Sequence, residues 1–132
     1  MAWSTLGLVE EQIGEIEGRL RLHAPPAPGG DHHLCFSNAS VDNPWRQVGF
    51  KTMQAEVDTH KSEIKQFVHV DAEGKDQKQI ADINDLLGKG CDALIVSPNT
   101  TATLTPAVEA ACRKGLPVIV FDRGVDSTCP VT

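Results

Sequence analysis

From Leu34 onward, short apolar runs alternate with stretches whose apolar residues recur every three or four positions. Runs of four to eight residues rich in Val and Ile read as strands, and the three-to-four spacing reads as amphipathic helix. The first predicted strand is Leu34 to Asn38. Asn43 is a good N-cap and Pro44 a good first helical residue, so a helix is predicted from Pro44 to about His60. Val48, Met53, Ala55 and Val57 are the candidates for its buried side. Ile64 to Asp71 follows as a second strand. Lys75 to Lys89 then carries Ile80, Ile83, Leu86 and Leu87 on one stripe, with Gly90 as the stop. Ala93 to Val96 is a third strand, halted by Ser97-Pro98. Thr105 and Pro106 predict a third helix running to Lys114 and ending at Gly115. The fourth strand lies within Leu116-Pro-Val-Ile-Val-Phe121. It is so continuously apolar that burial on both faces is expected. It stops abruptly at a carboxylate and a guanidinium, Asp122 and Arg123.

Strands alternating with helices imply βαβ crossovers, and so an α/β fold. The predicted architecture is an open parallel sheet, strand order 2-1-3-4, with helices on both faces. Its switch point falls between strands 1 and 3, and ligands of such sheets bind outside the carboxyl ends of the strands at that point. The loops after strands 1, 3 and 4 should therefore border one crevice. That would bring Asn43, Trp45 and Arg46 together with Asn99, Asp122 and Arg123 above a single rim.

Residues 1–33 are different in kind. Leu6, Val9, Ile13, Ile16 and Leu20 suggest a short amphipathic helix, but Gly7, Gly14 and Gly18 each weaken it by about 1 kcal/mol. Ala24-Pro-Pro-Ala-Pro-Gly-Gly30 is a linker by composition. We expect a poorly ordered leader over 1–33 and a single domain over 34–132. Glu10 and Glu11 interrupt any apolar core of a secretory signal.

Charge narrows the functional classes. Twelve basic against eighteen acidic residues give a net charge of -6, which disfavours nucleic acid as a partner. No apolar run reaches the roughly 20 residues of a membrane helix. Cys35, Cys91, Cys112 and Cys129 include no CxxC pair, so metal binding by them is not expected. Cys35 and Cys112 read as small core hydrophobes; Cys91 and Cys112 could approach each other, but no disulfide is predicted. Cofactor signatures (GxGxxG, GxxxxGK[ST]) and the GxSxG nucleophile elbow are absent from the sequence, so no cofactor and no catalytic residue is assigned.

What the crevice does offer is chemistry for a polyhydroxylated ring. A carboxylate accepts hydrogen bonds and a guanidinium donates them in a fixed fork, so Asp122 and Arg123 suit vicinal hydroxyls. The flat face of Trp45 suits the C–H face of a sugar. Asn43 and Arg46 add further polar groups. The competing reading is a local ion pair beneath a tryptophan that merely covers the sheet edge.

Five pieces in order then carry a resemblance: Phe36-Ser-Asn38, Asn43-Pro-Trp-Arg46, Gln79-Ile80, Lys89-Gly-Cys-Asp-Ala-Leu-Ile-Val-Ser-Pro98 and Gly115-Leu-Pro-Val-Ile-Val-Phe-Asp-Arg123. Together they resemble the type I periplasmic sugar-binding proteins of ABC transporters, most closely the ribose- and galactofuranose-binding branch. The resemblance spans about Leu34 to Thr132. It implies two α/β lobes that close on a monosaccharide, a pentose or hexose that includes furanose forms, and delivery to a transporter permease in the periplasm. It also implies ligand contacts from Asn43, Trp45, Arg46, Asp122 and Arg123. Arg46 stands where ribose binders carry another aromatic residue.

The chain departs from that family in length and in its leader. It reads as a partial first lobe, truncated or mis-started, with no export signal of its own. Its fourth strand would then be an open edge through which a homodimer could form. The same fold also serves as the effector domain of lactose-repressor-type regulators. Residues 1–33 are too short and too acidic for the basic helix-turn-helix which that alternative requires.

Overall fold

The computed structural model describes residues 30–131. The expected leader helix and most of its linker fall outside these residues. Four strands form one sheet: β1 (His32–Asn38), β2 (Ile64–Asp71), β3 (Ala93–Ser97) and β4 (Val118–Val120). Three helices connect them: α1 (Pro44–Thr59), α2 (Asp76–Gly88) and α3 (Thr101–Arg113). The order is β2-β1-β3-β4, all pairs parallel, as the alternation requires. β1 starts at His32, inside the stretch expected to be leader.

Side chains alternate across each strand, so the sheet has two distinct faces. Cys35, Leu94, Val96, Val118 and Val120 point to one of them, where Ile83 and Leu86 of α2 and Leu104 and Val108 of α3 bury them. Leu94, Val96, Ile83, Leu104 and Val108 are all 0% exposed, so this is the main core. On the other face, α1 lays Phe50 over a row of rings from β1 and β2. Phe50 stacks on His69 at 3.9 Å, and His69 stacks on Phe36 at 5.3 Å between centroids.

Four expectations are corrected here. First, the inner side of α1 is Arg46, Phe50, Met53 and Val57, whereas Val48 is 62% exposed and Ala55 is also exposed. A pattern read from apolar residues alone passes over an inward arginine and shifts the stripe. Second, α3 begins at Thr101, with Thr100 as N-cap, five residues before Pro106. The stripe Leu104, Ala107, Val108, Ala111 runs straight through the proline. Pro106 lies on the solvent side, and the missing N–H deprives only the exposed Ala102 carbonyl. Third, β4 is buried on one face only: Ile119 is 47% exposed, because α1 lies over the β1–β2 half of the other face. Its outer edge is not bare, since Val131 pairs with Ile119 and donates its N–H to the Val118 carbonyl at 2.7 Å.

Fourth, the cysteines are paired. Cys35 is bonded to Cys91 and Cys112 to Cys129. Cys91 lies in the turn before β3, whose strand neighbours β1, so it meets Cys35 rather than Cys112. Cys112, in the last turn of α3, instead holds the segment that returns after β4. Cys35 is both a core side chain and half of a cystine.

The Cys112–Cys129 bond closes 17 residues of separation, so Cys112→Ser/Cys129→Ser should lower stability by about 2–3 kcal/mol in urea unfolding. His69 has its pKa pushed below the usual histidine value by burial, partly offset by the Asp71 carboxylate. The unfolded chain therefore takes up a proton near pH about 6.5 that the folded chain refuses. Stability should fall as pH drops through that value and level off below the lowered folded pKa. His69→Phe should lack this component, a difference measurable as the gap between the two unfolding curves at pH about 7.5 and about 5.5.

Candidate functional site

The carboxyl end of β1 leads into a polar loop. Ser40 donates to Asp42 at 2.6 Å, and the Asn43 side-chain oxygen accepts the Arg46 backbone N–H at 3.0 Å. Asn43 thus caps α1, with Pro44 in the first turn, and this cap sets the direction in which the next two side chains leave. Trp45 points out and is 59% exposed. Arg46 points in and is only 7% exposed.

A buried guanidinium needs partners on all sides. Arg46 Nη1 donates to Asn38 Oδ1 at 3.0 Å and to Ser97 Oγ at 2.7 Å, at the ends of β1 and β3. Its Nη2 donates to Asp122 Oδ2 at 2.7 Å, just past β4. Three of the five N–H donors of the fork are engaged in this way. Nε–H and one Nη2 hydrogen make no bond among the described residues. Asp122 sits at φ 71, in the left-handed region, where an aspartate is tolerated and the Arg46 bond holds it. Its side chain keeps 28% exposure, so one carboxylate oxygen still faces solvent.

Arg123 turns the other way and donates from Nη1 to the Asn99 backbone carbonyl in the loop after β3. That loop is fixed from below. Gln79, 0% exposed on α2, accepts the Asn99 N–H at 2.8 Å and donates to the Ser97 carbonyl at 3.0 Å and Ser37 Oγ at 3.2 Å. The Asn99 side chain donates to Asp76 Oδ1 at 2.7 Å and to the Gly74 carbonyl at 3.1 Å.

The three loops therefore converge as topology required. Trp45 shares one rim with Asp122, its ring centroid 5.9 Å from the Arg46 guanidinium carbon. Between Trp45, Arg46, Phe36, Phe50 and Phe121 lies a depression of only about 10 Å³. That space is too small to admit a sugar-sized ring. Asn43, Trp45, Arg46, Asp122 and Arg123 all lie at this end of the sheet, but not as free hands: Asn43 serves the helix cap, and Arg46 is chiefly bound to protein. The sequence pattern alone gives Asn38, Ser97 and Gln79 no role in the site. A polar residue standing at an apolar position of a strand end or helix stripe was the available signal.

Comparison with known proteins agrees with the fold. Residues 34–131 match the model of a family described as periplasmic binding protein domain. A ribose import binding protein of Bacillus subtilis is 39% identical over 57 residues, covering 43% of this chain and 19% of that protein. One from Haemophilus influenzae is 31% identical over 92 residues, covering 69% of this chain and 30% of that one. The crystal structure of an ABC transporter solute binding protein from Thermobispora bispora superposes with a TM-score of 0.72 at 28% identity, over 76% of this chain and 32% of that chain. The chain thus spans less than a third of the ribose proteins' length and about a third of the solved chain.

The bracket around Arg46 can be tested directly. Arg46→Met fills similar space but strands Asn38 and Ser97, and we expect it to cost about 2–4 kcal/mol in denaturant unfolding. Asp122→Asn retains an acceptor but removes the carboxylate that faces the buried guanidinium, and should cost about 1–3 kcal/mol, moderated by the partial exposure of Asp122.

Proposed function

Because this chain belongs to the periplasmic binding protein domain family, we propose that it binds a monosaccharide above the carboxyl ends of β1, β3 and β4. The observation that carries this reading is an exposed indole beside a carboxylate already aligned by a buried arginine. Trp45 supplies the apolar platform, and the open oxygen of Asp122 accepts from a ring hydroxyl. The unengaged hydrogens of Arg46 and Arg123 donate to ring oxygens. Asn43 contributes the outer amide of the loop.

Similarity to ribose import binding proteins makes a pentose the first candidate, and donors on Arg46 extend the range to furanose forms of hexoses. The partner in transport is the permease of an ABC transporter, and the compartment is extracytoplasmic. Two disulfides among the described residues support an oxidising setting.

Contacts from these loops reach one side of a ring only, so affinity should be weak, in the range of about millimolar. Titration of the isotope-labelled chain with D-ribose, L-arabinose, D-fructose and D-galactose should shift the Trp45 indole resonance saturably for at least one sugar. Trp45→Ala and Asp122→Ala should each abolish saturation by that sugar, followed on backbone amides of the rim. No saturable response to any of the four would overturn the proposal.

A further inference from the structure

We propose that Gln79 is a positioning residue that sets the spacing between the two arginine arms of the rim. The inference rests on the sugar-binding reading, but its geometry does not require a sugar. Gln79 lies at the bottom of the site, 0% exposed, and cannot touch a ligand. Its amide nonetheless uses both ends. The oxygen accepts from the Asn99 N–H, and the nitrogen donates to the Ser97 carbonyl and to Ser37 Oγ.

Ser97 and Asn99 are the two residues on which the arms lean. The Ser97 hydroxyl accepts from Arg46, whose other nitrogen orders Asp122. The Asn99 carbonyl accepts from Arg123. One side chain from α2 thus grips both sides of the short turn Ser97-Pro98-Asn99, and each side of that turn carries one guanidinium. A glutamine is suited to this because its amide offers two donor hydrogens and an acceptor oxygen in one fixed plane. An apolar residue of equal length would fill the core but leave the turn held by the strand and by the Asn99 side-chain bonds to Asp76 and Gly74. A misplacement of about 1 Å is enough to misalign directional hydrogen bonds.

The test uses Gln79→Met in the whole chain. In the absence of sugar, exchange of the Asn99 amide hydrogen should quicken by about tenfold, and the Arg123 side-chain resonance should move toward its free position. Unchanged Asn99 exchange together with an unmoved Arg123 signal would overturn the inference. With whichever sugar saturates the wild type, affinity should fall by about tenfold in Gln79→Met. In an Arg123→Ala background the same change should cost much less, because part of what Gln79 supports is gone. Losses that simply multiply would show a general structural role and overturn it. If no sugar binds the wild type, the proposed function fails, while the sugar-free measurements still decide the role of Gln79. Should Gln79→Met not fold, Gln79→Asn keeps a neutral amide but holds it one methylene short of the Ser97-Pro98-Asn99 turn. Asn99 exchange should again quicken and the Arg123 signal move; neither changing would overturn the inference.

Discussion

The structure turns on a single buried cation. Arg46 leaves α1 through the carboxyl rim of the sheet and binds the last residue of β1, the last residue of β3 and the first polar residue beyond β4. Taking a guanidinium out of water is costly, and the cost is met only because neutral acceptors and one carboxylate surround it at hydrogen-bonding distance. The same bonds that make burial tolerable fix three chain segments, far apart in sequence, relative to one another. The Arg46–Asp122 contact joins residues 76 apart, and the Arg46–Ser97 contact joins residues 51 apart. On the proposed reading the value of such a bracket is preorganisation: Asp122 would not have to find its orientation when a sugar arrives.

The two faces of the sheet divide the work. One is an aliphatic core shared with α2 and α3, and it makes the platform rigid. The other is thinner and aromatic, with Phe50 and Phe36 each stacked on His69 and with Phe121 next to Phe36. Phe36, Phe50 and Phe121 also line the floor below Trp45, so the aromatic layer is continuous with the rim. His69 Nε2 is buried with no hydrogen-bond partner among the described residues, a polar atom carried inside an otherwise apolar stack.

The fold was legible because its strands announce themselves. Val- and Ile-rich runs separated by helix-length stretches fix element type, and the parallel order follows from the crossovers. Element ends and inner faces were less legible wherever a polar residue stood in for an apolar one. Arg46 occupies the innermost position in the first turn of α1, which a count of apolar residues cannot see. Thr105-Pro106 imitates a helix start, yet Leu104 is already 0% exposed inside the first turn. The Cys35–Cys91 cystine was within reach of the predicted strand order, which sets strand 3 beside strand 1, whereas Cys112–Cys129 was not, because it depends on where the chain returns after β4. Among site residues, the convergence of Trp45, Arg46 and Asp122 could be derived from topology. That Arg46 would spend most of its donors on protein could not, because nothing local marks Asn38 and Ser97 as its partners.

The cystine between α3 and the returning segment has an effect beyond local tethering. It delivers Val131 to the flank of β4, where one backbone amide is already hydrogen-bonded across the seam. A parallel sheet left with a naked flank tends to recruit foreign strands and to polymerise. Here the first rung of that ladder is occupied by the molecule's own chain, and a covalent link keeps it in place. The clasp therefore closes the Val118 carbonyl to any incoming strand.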